Sequence, residues 1–171
     1  MFQQFYPTEW RESTYTIPFE KWYKKGYRGI IFDIDNTLVP HGAPATKKAV
    51  ELFERLHRMG FDTCLTSNNK EPRVAPFARA VKSKYIYKAG KPKRAGYIKA
   101  MKLMGTDKKT TFFVGDQLFT DVFGANLAGI PTILVNPIHP KEEIQIVLKR
   151  YLEKVVLHCY KRRLKKQGKH L

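Results

Sequence analysis

The stretch RGIIFDIDNTL, residues 28–38, decides how this chain folds. After Gly26, the run from Arg28 to Ile34 is short, apolar and rich in β-branched residues. It lacks the alternation of a half-exposed strand and reads as one buried on both faces of a parallel sheet. Asp33 and Asp35 follow at its end, two residues apart, so their side chains point the same way. Such a carboxylate pair is costly unless a cation or a shared proton relieves it.

Working outward, strand-like and helix-like stretches alternate. Thr46 to Met59 carries Ala49, Val50, Phe53 and Leu56 at helical spacing and stops at Gly60. Phe61 to Thr66 reads as the next strand, a helix follows Pro72, and Tyr85 to Tyr87 is a short strand. Lys93 to Met104 is a helix ended by Gly105, Thr111 to Val114 a strand, Leu118 to Ala128 a helix, and Pro131 to Val135 a final strand. Repeated units of this length predict the α/β class, with an open, mostly parallel sheet and helices on both faces. Ligands of such sheets bind beyond the carboxyl ends of the strands.

The reactive residues stand at those ends. Ser67, Asn68 and Asn69 follow the second apolar run, Lys91 the third, and Gly115-Asp116, then Asp121, the fourth. Carboxylates, a hydroxyl and an ammonium are the parts that phosphoryl transfer needs: a nucleophile, positioning, and positive charge on the phosphoryl oxygens. Carboxylate oxygens also suit Mg²⁺, a hard cation. Each residue has a plainer alternative. Aspartates serve turns and caps, Ser67 could cap the next helix, Asp121 could answer a helix dipole, and Lys88 and Lys93 rival Lys91. His41 reads as a loop residue.

Taken in order, Asp33-x-Asp35-x-Thr37, Ser67, Lys91 and Gly115-Asp116-x-x-x-x-Asp121 resemble the four motifs of the haloacid dehalogenase (HAD) superfamily of aspartate-dependent phosphatases. The resemblance runs from about Gly29 to Pro137. More closely, DIDNTLVP and VGDQLFTDVFGANLAGIPTILVNPI are similar to the YqeG-type branch, subfamily IIIA, which is related to the mitochondrial phosphatidylglycerophosphatases. The resemblance implies a HAD-like Rossmannoid sheet and a role for each residue. Asp33 is the nucleophile that becomes an aspartyl phosphate, and Asp35 the general acid and base. Ser67, with the backbone beside Asn68, holds the phosphoryl oxygens, and Lys91 balances their charge. Asp116, the Asp33 carboxylate and the Asp35 backbone carbonyl hold Mg²⁺. Thr37 and Asp121 support the site from behind.

Spacing bears on the substrate. Asp33 and Ser67 are separated by a loop, one helix and a strand, and Ser67 and Lys91 by a helix and a short strand. Neither interval holds a cap domain, so the site is expected to be open and suited to a bulky or surface-held phosphorylated substrate. Residues 1–27 form an aromatic-rich segment, with Trp10, Tyr15, Phe19, Trp22 and Tyr23, expected to cover the sheet edge or meet a lipid interface. Residues 28–140 form the catalytic core, and 141–171 an amphipathic helix with a basic tail. In that helix Ile144, Val147, Leu148, Tyr151, Leu152, Val155, Val156 and Cys159 recur on one face, with Lys149, Arg150, Glu153 and Lys154 off it. This stripe is expected either to pack on the domain, leaving a solvated basic tail or lysines that face an anionic membrane, or to rest on anionic lipid as a basic amphipathic helix.

The chain carries 32 basic and 15 acidic residues, a net charge of +17. The excess is localised: 13 basic against 2 acidic from Lys70 to Lys109, and 10 against 3 from Lys141 to Leu171. A polyanionic partner fits this better than solubility alone. Cys64 and Cys159 match no metal or redox spacing, and the first residues lack the basic-then-apolar pattern of a signal peptide. A cytoplasmic location follows, with peripheral membrane contact as its variant. The expected function is phosphomonoester hydrolysis on an anionic lipid headgroup such as that of phosphatidylglycerophosphate. The alternatives are a phosphatase of soluble metabolites, nucleotides or phosphoproteins, and a basic protein associated with RNA or the ribosome. Nucleic acid is the less favoured partner, because no RNA-binding motif or aromatic stacking signature is present.

Overall fold

A computed structural model describes residues 2–139 and 144–167, the side chains of 144–148 excepted. Six strands form one wholly parallel sheet: β1 (Glu9–Arg11), β2 (Gly29–Phe32), β3 (Asp62–Thr66), β4 (Lys84–Ile86), β5 (Thr111–Gly115) and β6 (Thr132–Val135). Their spatial order is β1-β6-β5-β2-β3-β4. All four residues of β2 are buried, as the unbroken apolar run requires. Its register sets Phe32 opposite Leu65 of β3 and Val114 of β5. The three strands therefore end level, and the residues after them converge.

Helices cover both faces. Ile30 and Phe32 look to one side and join Phe53 and Leu56 of α2 (Lys47–Met59) and Val74 and Phe77 of α3 (Glu71–Ala80). Phe19 and Trp22 of α1 (Phe19–Lys24) complete that layer. Ile31 looks to the other side and packs with Tyr97 and Met101 of α4 (Arg94–Met104) and Ala125 of α5 (Phe123–Ala128). Helix stops follow the residue chemistry. The Thr46 hydroxyl accepts from the Ala49 amide at 3.2 Å, capping α2, and Gly60, at φ 99°, ends it in a left-handed turn that a side chain would disfavour. Only loop, α2 and β3 lie between Asp33 and Ser67, and only α3 and β4 between Ser67 and Lys91. Among the described residues, no cap domain stands over the sheet.

Three features differ from, or sharpen, the sequence reading. The N-terminal segment does more than cover the edge. Trp10 pairs with Leu134, so Glu9–Arg11 is the sixth strand of the sheet. The helix expected from Leu118 opens as a π turn, Leu118–Val122, before α5. The third difference is a correction. In α6 (Ile144–Lys166) the apolar stripe faces the domain only in part: Val156 is buried, whereas Tyr151, Leu152 and Val155 are 70%, 55% and 53% exposed. Among its described side chains, the buried positions are Glu153, Val156 and Tyr160. A polar anchor decides the rotation, since Glu153 Oε1 accepts from the Leu118 amide at 2.9 Å. Ile144, Val147 and Leu148 of the stripe lie outside the described side chains. Among the described residues, no helix is long and apolar enough to cross a membrane.

Candidate active site

The site lies past the carboxyl ends of β2, β3 and β5. Asp33 leaves β2 as a buried residue whose amide donates to Val114 O at 3.0 Å, so the backbone beside β5 fixes it. The turn that follows is held by Asn36, which has a φ of 62° and donates its amide to Val39 O at 2.7 Å. A left-handed asparagine is tolerated because its short polar chain bonds locally. This turn presents Thr37, whose hydroxyl donates to Asp116 Oδ1 at 3.1 Å. Thr14 Oγ1 braces the same turn by donating to Thr37 O at 2.8 Å.

Lys91 is the hub. Its ammonium lies 2.5 Å from Asp33 Oδ1 and 2.7 Å from Asp121 Oδ1, and its side chain is only 4% exposed. Neither Lys88 nor Lys93 takes part in these contacts. Burial alone would lower the Lys91 pKa, but Asp121 and Asp33 hold it above the ordinary lysine range. Asn68 secures the Lys91 backbone from both sides, accepting from Lys91 N at 2.8 Å and donating to Lys91 O at 3.2 Å. Ser67 is buried, and its hydroxyl accepts from the Asn69 amide at 3.1 Å. Lys70, not Ser67, occupies the N-cap position of α3.

Asp33, Asp116 and Asp121 each bring one carboxylate oxygen to within 4.8 Å of the others. Burial pushes the Asp33 carboxyl well above its usual range, with Asp121 and Asp116 adding to the rise against the pull of Lys91. Burial, then Asp121, raises Asp116 to about 7, against the opposing effect of Arg150. Three carboxylates crowd against one ammonium and one guanidinium, so with all three ionised the cluster carries an excess of negative charge that a cation would relieve. Hard oxygen donors with surplus negative charge fit a divalent cation such as Mg²⁺. Gly115 makes the crowding possible: a Cβ there would stand 2.5 Å from Asp121 Oδ2.

Asp35 faces elsewhere. Its Oδ1 accepts from Gly42 N at 2.7 Å and Arg73 Nη2 at 2.8 Å, and its Oδ2 from Asn69 Nδ2 at 2.8 Å. Its carboxylate is not part of the three-aspartate cluster.

Three site residues were missed by the sequence reading, Arg73 beside Asp35 and Arg150 and Glu153 from α6, and Asn69, named there without a role, also bonds Asp35. Arg150 Nη2 lies 2.6 Å from Asp116 Oδ2, and its Nη1 donates to Asp116 O at 2.9 Å. A two-pronged arginine orients a carboxylate as well as neutralising it. One basic residue among 32 carries no signal of its own. The useful sign was the polar pair three apart, Arg150 and Glu153, interrupting an apolar helix.

A family model described as haloacid dehalogenase-like hydrolase matches residues 41–129. The chain belongs to this family, and within it to the phosphatases. It is 36% identical to "Probable phosphatase YqeG" of Bacillus subtilis over 93% of both chains. It is 28% identical to "Phosphatidylglycerophosphate phosphatase 1, chloroplastic/mitochondrial" of Arabidopsis thaliana, over 88% of this chain but only 45% of that longer protein. Among solved structures, an uncharacterized protein from Listeria monocytogenes serotype 4b aligns with a TM-score of 0.55 at 20% identity. That alignment covers 68% of this chain and 84% of the other, a likeness of fold.

Proposed function

We propose that the protein is a Mg²⁺-dependent phosphomonoester hydrolase in which Asp33 attacks phosphorus and is transiently phosphorylated. The observation that carries this reading is the buried Lys91 ammonium shared between Asp33 and Asp121, with Asp116 beside them. Lys91 fixes the Asp33 carboxylate and offsets the charge of an incoming phosphoryl group. Covalent catalysis divides one displacement into two easier ones. Asp35 gives a proton to the leaving alcohol, then takes one from the water that hydrolyses the aspartyl phosphate. The Ser67 hydroxyl and the amides following it bind phosphoryl oxygens. Asp33, Asp116 and the Asp35 backbone carbonyl would hold Mg²⁺, which supplies positive charge to the phosphoryl oxygens when bound. Thr37, Arg150 and Asp121 keep these groups in place.

The substrate in this reading is an anionic lipid headgroup, with phosphatidylglycerophosphate the candidate named by the Arabidopsis relative. An uncapped site suits a substrate held in a surface. The outward face of α6 supports the same idea. Tyr151, Leu152 and Val155 project outward, and exposed Lys154, Lys161, Arg162, Lys165 and Lys166 share the helix. Apolar residues among lysines and arginines are the composition of a helix resting on anionic lipid. The protein would then act in the cytoplasm at a membrane surface.

The test is Mg²⁺-dependent phosphate release from phosphatidylglycerophosphate in mixed micelles, against soluble phosphomonoesters at matched concentration, with Asp33→Ala as control. Release that is lost in the variant and strongly favours the lipid is the expected result. Undiminished release by Asp33→Ala would overturn the mechanism. Equal or better turnover of soluble esters would overturn the lipid substrate alone.

A further inference from the structure

Beside Asp35 a groove runs between the 42–45 loop and α3. Its inner end is polar, for Gly42 and Arg73 line it and both hydrogen-bond Asp35. Away from Asp35 the lining turns apolar: Pro44, Ala45, Pro72, Pro76, Phe77 and Ala80. Its volume is about 350 Å³, within the usual size of small-ligand sites. The ring of Phe77 is 2% exposed and lies 5.7 Å from the Arg73 guanidinium, so the floor changes from cationic to hydrocarbon within one side chain's length.

The geometry points to this groove as the binding site for the leaving group of the substrate, an amphiphilic alcohol with an apolar portion. The assignment rests on Asp35 serving as the acid that protonates the leaving oxygen. Whatever is attached to that oxygen must then lie next to Asp35, and the groove opens there. Its polarity runs the same way as that of an amphiphile: donors near the phosphate, carbon further out. The prolines give the walls little freedom to collapse, because each fixes its own φ. The groove therefore binds without first having to order its lining. A purely polar leaving group, such as a sugar, would bury no hydrocarbon against proline and phenylalanine.

A homologous series of n-alkyl phosphates, from ethyl to octyl and below their micelle concentrations, reads the groove directly. In the wild-type protein kcat/KM is expected to climb by up to about fourfold per methylene, mostly through KM, and to level off once the groove is full. Ala80→Trp, at an exposed position, fills the groove, and Ala45→Asp charges its wall. Both should flatten the slope, read as the ratio of octyl to ethyl phosphate kcat/KM within each variant, with melting temperatures showing that each is folded. No chain-length slope in the wild type, or the same slope in both variants, overturns the assignment. Absence of Asp33-dependent release from every ester overturns the phosphatase mechanism instead, and the groove assignment falls with it.

Discussion

Asp33 and Asp35 are two residues apart, yet they stand in different chemical settings. Asp33 is on the floor of the site, 7% exposed, against a buried ammonium and two further carboxylates. Asp35 is on the rim, held by a backbone amide, an asparagine and an arginine beside an open groove. On the floor, charge is crowded and protected from water, which suits a nucleophile that must be fixed and then neutralised. On the rim, the carboxylate meets donors that can be exchanged for a leaving group. Two identical side chains thus acquire two roles from their surroundings.

Substitutions separate floor from rim. Asp33→Asn should lower phosphate release from every ester by at least about 10³-fold, with no phosphoryl-enzyme trapped by acid quench. Asp35→Asn should slow alkyl esters by about 10²- to 10⁴-fold but p-nitrophenyl phosphate far less, because that leaving group needs no proton. Equal losses on both substrates would erase the distinction. Lys91→Met tests the floor through stability. It leaves Asp33 and Asp121 buried without their counter-charge, and urea unfolding should show a loss of about 3–5 kcal/mol. Arg73→Gln tests the rim. It removes one charge-assisted hydrogen bond from Asp35 and should slow alkyl esters about tenfold, with little change in melting temperature.

The smallest expected effect lies remote from both. His57 Nε2 is 2.9 Å from the Thr63 hydroxyl, and burial holds its imidazole below the usual histidine range. The unfolded chain takes up a proton near pH 6.5, and the folded one only at lower pH. This contribution to stability is therefore whole above about pH 6.5 and is lost as pH falls below it. Urea midpoints at pH 5.5 and 7.5 should differ less in His57→Gln than in the wild type.

The floor was largely legible in the sequence, because its residues follow unmistakable apolar runs at strand ends. Strand β2 could be read from GIIF alone, and the motifs after β3 and β5 from their position. The rim was legible only at Asp35. Arg73 is one basic residue in a basic stretch, and nothing local ties it to a carboxylate 38 positions away. Strand β1 escaped because Glu-Trp-Arg has no apolar run, and an edge strand buries only one side. The rotation of α6 was only partly legible, for a related reason. Hydrophobic periodicity finds a stripe but not what the stripe faces, and here Glu153 and Arg150, bonded to the 116–118 loop, turn part of it outward.

That edge strand also bears on how the chain is made. Thr8 and Thr132, at one end of the pairing, are 124 positions apart, so a strand made early pairs with one made much later. Among the described residues β6 alone pairs with Glu9–Arg11, so until it emerges the strand is unpaired and the aromatic segment around it has little to cover. Pairing over such a separation comes late and slowly. The charges of Glu9 and Arg11, bonded to each other at 2.7 Å, are what a waiting strand needs to discourage pairing with other copies. The three residues that close the sheet thus double as its protection against aggregation during synthesis.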